Sequence, residues 1–323
     1  MTVFIVLPSL AALVLLLSLG CFFMAFYAPR SKKPPKEEYP IPKGDIYEPF
    51  RGVMTQWMKE VRAMVHEDCS ITSFDGLKLC GKYYACKPGA VTEIMFHGYR
   101  GSAERDLCGG VQRAFALGRN VLIVDQRTSG SSDGHVITFG IKESRDCLDW
   151  VDFAVRRFGP DVRIILTGIS MGATTVLMAA GHELPKQVIG VLADCGFTSA
   201  KAIIHKVIRQ LHLPPALLYP LVKLAARLWG GFDPEADSAL AAMKRCTVPV
   251  IFIHGEADDF VPCSMSRENY ETCITRKQLV TVPGAGHGLA YPVDPDRYLQ
   301  VLGEFFGDHP DTAKKSANPE ITA

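Results

Sequence analysis

Gly168-Ile169-Ser170-Met171-Gly172 sets a serine between two glycines at a spacing that suits a nucleophile. Arg163-Ile-Ile-Leu-Thr before it reads as a strand, and Met171-Gly-Ala-Thr-Thr-Val-Leu-Met after it opens a helix. A strand–turn–helix setting holds a serine hydroxyl exposed on a strained turn. The flanking glycines permit that turn. The helix N-terminus behind the serine favours negative charge developing in front of it. A serine hydroxyl is a weak nucleophile and needs a base. His287, in Pro283-Gly-Ala-Gly-His-Gly, follows an apolar run and is a loop histidine flanked by glycine. Asp258, in Ile253-His-Gly-Glu-Ala-Asp-Asp-Phe-Val-Pro, follows another apolar run and supplies a carboxylate to orient that base. Asp259 and Glu256 compete for this role and read instead as solvated or turn-forming. The order Ser170, Asp258, His287 differs from the chymotrypsin and subtilisin orders.

Acyl transfer also needs two N–H groups aimed at the oxyanion. The amide of Met171, next to the serine, is one candidate. The amide of Tyr99, in His97-Gly98-Tyr99-Arg100-Gly101, is the other. His97 itself reads as a structural group that holds this loop by hydrogen bonds. No CxxC occurs, which argues against zinc, and neither a metal nor a cofactor is expected.

Short apolar strands and helical stretches alternate along the chain. Strands are expected at Glu93–Phe96, Val121–Asp125, Arg163–Thr167, Val188–Ala193, Val248–Ile253 and Gln278–Val282. Ser70–Ser73 and Leu77–Ala85 flank Asp75-Gly76 and read as a hairpin ahead of them. Helices are expected near Val53–His66, Glu104–Leu117, Lys142–Phe158, Met171–His182, Ser264–Cys273 and Asp296–Phe306. The pattern implies an α/β fold: a mostly parallel central sheet, helices on both faces, antiparallel strands at one edge. The stretch from Ala200 to Met243 is too long for one crossover helix and reads as a small helical cap. Its Leu217, Leu218 and Leu221 are expected to line an apolar pocket.

The chain of 323 residues carries a formal net charge of +1, which gives no support for nucleic-acid binding. Residues 1–29 hold no charged side chain, and Val3–Tyr27 is long enough for a spanning helix. A transmembrane anchor at 1–29 is therefore expected, followed by a Pro-, Lys- and Glu-rich stalk at 30–52. A hydrolase domain would run over 53–308, with the cap at about 200–243, and a disordered tail over 309–323. Arg30, Lys32, Lys33 and Lys36 directly after the apolar run predict a single-pass membrane protein with a cytosolic catalytic domain. The ten cysteines, nine of them after the apolar run, read as free thiols.

Taken together, several motifs resemble the α/β-hydrolases with a serine triad, and most of all a bacterial membrane-anchored branch related to the ABHD family. They are His97-Gly-Tyr-Arg-Gly-Ser, Asp125-Gln-Arg-Thr-Ser-Gly-Ser-Ser, Gly168-Ile-Ser-Met-Gly, Asp194-Cys-Gly-Phe-Thr-Ser, His254-Gly-Glu-Ala-Asp-Asp-Phe-Val-Pro and Gly284-Ala-Gly-His-Gly. The likeness covers about Cys69 to Phe306. One departure is Thr128-Ser129, where many relatives carry Gly-His. The resemblance implies cofactor-free hydrolysis of esters, thioesters or sometimes amides. Ser170 argues against the dehalogenases and epoxide hydrolases of this fold, which use an aspartate nucleophile. With the apolar cap and anchor, a lipid-type or other small-molecule acyl ester is the expected substrate of a carboxylesterase-like enzyme (EC 3.1.1). A small-ester esterase, an aminopeptidase-like amidase, an acyltransferase and an inactive binding scaffold are the alternatives.

Overall fold

The computed structural model describes residues 2–29 and 37–307, with side chains from Ser9 onward. The basic cluster Arg30–Lys36 and the tail 309–323 lie outside the described residues. Eight strands are present: β1 (Glu67–Thr72), β2 (Lys78–Tyr84), β3 (Thr92–Phe96), β4 (Asn120–Asp125), β5 (Ile164–Ile169), β6 (Val188–Asp194), β7 (Val250–Gly255) and β8 (Lys277–Val282). They form one sheet in the order β1-β2-β4-β3-β5-β6-β7-β8. The hairpin β1–β2 and the pair β2–β4 are antiparallel, and β4 through β8 pair in parallel. The expected strands are thus all present, with ends differing by a few residues.

The helices are α1 (Thr2–Ala25), α2 (Arg51–Ala63), α3 (Ala103–Ala116), α4 (Glu143–Phe158), α5 (Met171–Ala179), α6 (Ala200–Gln210), α7 (Pro215–Leu228), α8 (Ala239–Met243), α9 (Cys263–Thr272), α10 (Ala290–Val293) and α11 (Pro295–Phe306). Strands β3, β4 and β7 are buried on both faces, as their unbroken apolar runs require. Ile94, Phe96, Leu122, Val124 and Leu166 pack with residues of α4, α5 and α8. Their strand neighbours Met95, Val121 and Ile123 pack on the other face with α2 and α3. Glu93 is an exception in this apolar layer. Its buried carboxylate is met by the guanidinium groups of Arg113 and Arg119 and by the Thr167 hydroxyl. The two cations outweigh burial and hold its pKa down.

The structure departs from expectation in three ways, beginning with the cap. First, the cap is built from α6 and α7 only. The Ala239, Ala242 and Met243 side chains of α8 are fully buried in the sheet's helical layer, so α8 is part of the crossover into β7. Second, the cap packs on α1. Phe22 and Phe26 share one apolar cluster with Ile203, Ile204, Tyr219 and Val222. Trp229 donates its indole N–H to the Ser18 hydroxyl. After α1 the chain bridges to Val136, and Phe26 accepts from the Ile137 amide. The C-terminal part of the apolar run is therefore consumed in packing on the domain. Among the described residues no helix is long and apolar enough to cross a membrane, which corrects the expected transmembrane helix. Third, the span 30–52 is not a stalk throughout. Ile41 and Tyr47 are buried, and a 3-10 helix, Asp45–Phe50, leads into α2. These apolar side chains lie among Pro, Lys and Glu, whose weight in the composition conceals them.

Candidate active site

Ser170 sits between β5 and α5 with φ 57° and ψ −119°, a strained conformation for a residue with a Cβ. Its amide donates to the Asp194 carbonyl at 2.8 Å, which ties the turn to β6. Both flanking glycines are required by space. A Cβ on Gly168 would lie 2.1 Å from the Gly172 carbonyl oxygen, and one on Gly172 would lie 2.0 Å from that of Phe96.

His287 reaches this turn from the loop after β8. Its Nε2 lies 2.9 Å from Ser170 Oγ and its Nδ1 lies 2.7 Å from Asp258 Oδ2. Asp258 is ionised, so Nδ1–H donates to it and Nε2 is left to accept the serine proton. Asp258 itself sits after β7 with its side chain fully buried. Its Oδ1 accepts from the amides of Phe260 and Val261 at 3.0 and 2.8 Å. Burial alone would raise its pKa, but hydrogen bonds from His254, His287 and the Val261 amide hold it far below the usual range. Asp259 is exposed and Glu256 accepts from the Thr281 hydroxyl, so neither reaches His287.

A second imidazole shares this carboxylate. His254 Nε2 lies 3.1 Å from Asp258 Oδ2 and 2.9 Å from the Val261 carbonyl oxygen. Both are acceptors, so Nε2 carries the proton. In the neutral ring, Nδ1 then accepts from the Ser266 hydroxyl at 2.7 Å. The sequence motif contained His254 but assigned it no role.

The loop after β3 passes close to the serine: a Cβ on Gly98 would lie 3.5 Å from that of Ser170. His97 holds this loop, as expected. Its Nε2 accepts from the Gln126 amide at 3.1 Å, so its Nδ1–H donates to the Gly98 carbonyl at 2.8 Å. Asp106 accepts from the Gly98 amide, and the Ser129 hydroxyl donates to the Gly101 carbonyl at 2.6 Å. Ser129, of the divergent Thr128-Ser129 pair, thus braces this loop. Met171, first residue of α5, directly follows the serine, and Tyr99 lines the same cleft as Ser170.

A cleft of about 560 Å³ opens onto Ser170 and His287. Ile46, Tyr47, Tyr99, Ile169 and Phe260 line it, with Arg105 and Asp106 at its polar side. Among the described residues none from α6 or α7 does. Leu217 is 75% exposed, while Leu218 and Leu221 pack toward α1, so the expected pocket lining by these leucines is corrected. The segment read as a stalk forms that wall instead. Beneath the site, the buried Cys195 places its sulfur within 4.8 Å of ligand atoms of Asp258 and His287. Burial and the nearby carboxylates push its thiol pKa well up. A neutral thiol and a histidine–aspartate pair already bonded to each other make a poor metal site.

The chain is similar to several other proteins and solved structures. YqkD, an uncharacterised protein of Bacillus subtilis, is 29% identical over 199 residues, covering 61% of this chain and 65% of its own length. The Escherichia coli protein YfhR, also uncharacterised, is 26% identical over 251 residues, covering 74% and 78%. The Pyrococcus furiosus esterase Pf2001 superposes with a TM-score of 0.64 at 24% identity, covering 83% of this chain and 97% of that one. Est1E of Butyrivibrio proteoclasticus, solved with ferulic acid, gives 0.55 at 23% identity, covering 73% and 95%. Residues 94–301, more than half of the chain and the span that contains the serine, both imidazoles and the aspartate, match the profile of the alpha/beta hydrolase family, and the chain belongs to that family.

Proposed function

We propose that this protein is a serine hydrolase of carboxylic esters or thioesters (EC 3.1.1), working through an acyl-enzyme. The observation that carries this reading is the relay Ser170 Oγ–His287 Nε2 at 2.9 Å and His287 Nδ1–Asp258 Oδ2 at 2.7 Å. His287 takes the Ser170 proton as the oxygen attacks the carbonyl. Asp258 fixes the tautomer and stabilises the imidazolium. The amides of Tyr99 and Met171 hold the oxyanion. His287 then protonates the leaving group, and water, deprotonated by the same imidazole, releases the acid. The mixed lining of the cleft supports a small or medium acyl group, held against Ile46, Ile169 and Phe260.

We further propose that the protein lies at a membrane surface, held there through α1, with its catalytic domain in the cytosol. The uncharged run at 1–29 and the exposed Leu10, Leu13, Leu16, Leu17 and Phe23 of α1 support contact with a lipid surface. Cell fractionation with protease protection tests this: a soluble protein, or a domain digested from outside intact cells, refutes it.

Fluorophosphonate labelling together with turnover of p-nitrophenyl acyl esters tests the chemistry. Labelling in the wild type, and loss of labelling and of roughly 10⁴-fold or more of turnover in Ser170→Ala, is the expected result. An unlabelled wild type, or a Ser170→Ala variant that still turns over, refutes it.

A further inference from the structure

We propose that Tyr47, in the segment ahead of the family domain, is a positioning residue for the catalytic base, a role that presupposes the Ser170 hydrolase proposed above. Its hydroxyl donates to the main-chain carbonyl of His287 at 3.0 Å. Tyr47 is 8% exposed and packs in one cluster with Ile41, Met54 and Leu289, two residues beyond the base. The neighbouring Ile46 closes over the same loop: a Cβ on Gly286 would lie 3.1 Å from Ile46 Cδ1. Segment 41–47 is thereby pressed onto the 284–289 loop by apolar contact and fixed to it by one directed hydrogen bond.

The His287 loop needs an outside support. Gly284, Gly286 and Gly288 surround the base, and two of them have positive φ (71° and 68°). Glycine-rich backbone has many accessible conformations, and its order must come from elsewhere. The imidazole is already held on Asp258 at one nitrogen, and the Phe260 ring packs against it in a T-shaped contact with centroids 5.1 Å apart. Neither contact fixes the backbone from which the ring hangs. The Tyr47 hydroxyl does, at the residue itself. Burial, then the surrounding acidic groups, raise its pKa, so it remains a donor throughout the range in which the base works. A displacement of about 1 Å at a catalytic group costs up to roughly 100-fold in rate.

Tyr47 lies outside residues 94–301, the span that the family profile matches. Removing the hydroxyl alone, in Tyr47→Phe, keeps the ring and the cleft wall. The test is carried out on the full chain, with p-nitrophenyl butyrate turnover and the rate of fluorophosphonate labelling. Both are expressed per titrated serine, so that misfolded chains do not count. The expected result is a fall of roughly 10-fold in kcat and a parallel fall in labelling rate, with KM within twofold. A kcat and labelling rate within twofold of wild type, or a change confined to KM, overturns the role of Tyr47 and leaves the hydrolase standing. A wild type that does not label overturns both.

Discussion

The Tyr99 hydroxyl donates to the carbonyl oxygen of Ala25 at 2.8 Å, so the loop that follows β3 is fastened to the last turn of the N-terminal helix. Arg100 continues the attachment, donating to the carbonyls of Met24 and Tyr27 at 3.0 and 3.1 Å. The final carbonyls of a helix lack intrahelical partners and carry its negative pole, which a cation satisfies. Of the two residues that cap α1, Tyr99 thus carries the amide proposed to hold the oxyanion, and Arg100 directly follows it.

That attachment predicts a loss of rate from changes that leave every reacting group in place. Tyr99→Phe keeps the Tyr99 amide, and Arg100→Ala adds loss of the second tie. The double variant is expected to lower kcat for p-nitrophenyl esters by about 10-fold per titrated serine, because a loosened donor holds the transition state less well. Unaltered kcat in the double variant would show that the loop keeps its shape without α1.

Asp258→Asn is expected to reduce kcat by about 10⁴-fold and Asp259→Asn by less than threefold, since only the former meets His287. His254→Gln removes one of four donors to Asp258 and is expected to cost roughly 10-fold. A pH signature accompanies these losses. The folded pKa of Asp258 is depressed, so its stabilisation is complete above the unfolded value of about 3.9 and is lost as pH falls below that. Thermal midpoints of the wild type should therefore drop more steeply below pH 4 than those of Asp258→Asn. Parallel curves for the two, or a larger loss from Asp259→Asn, would reassign the carboxylate.

The strands and the Ser170, Asp258 and His287 positions were legible because each depends on local pattern. An apolar run of five or six residues followed by a Gly-rich turn specifies both a buried strand and the exposed residue at its end. Tyr47 and the end of α1 were not legible for the opposite reason. Their contacts reach 240 residues along the chain, in Tyr47 to His287, and 74, in Tyr99 to Ala25. No local period signals such a contact. A spacing of Ile41, Ile46, Tyr47 and Phe50 was present as a hint, outvoted by the surrounding Pro and Lys. Likewise α8 resembled its cap neighbours in composition, and only the burial of Ala239, Ala242 and Met243 against the sheet separates it from them.

Substrate selectivity should accordingly follow the N-terminal segment rather than the cap. Ile46 lines the cleft that opens onto Ser170, whereas Leu217 is 75% exposed and is not among the residues that line it. Each methylene buried against Ile46 and Phe260 contributes up to about 0.8 kcal/mol, or roughly fourfold in kcat/KM. Over p-nitrophenyl esters from acetate to octanoate, kcat/KM of the wild type should rise for a few methylenes and level off once the cleft is full. Ile46→Gln places an amide on that wall, where an apolar chain leaves it without a partner. It should flatten the rise while changing acetate turnover little more than twofold. Leu217→Gln exchanges one solvated side chain for another and should leave the whole profile as it was. If Leu217→Gln flattened the profile and Ile46→Gln did not, the acyl chain would lie under α7, and the wall formed by residues 42–47 would be structural.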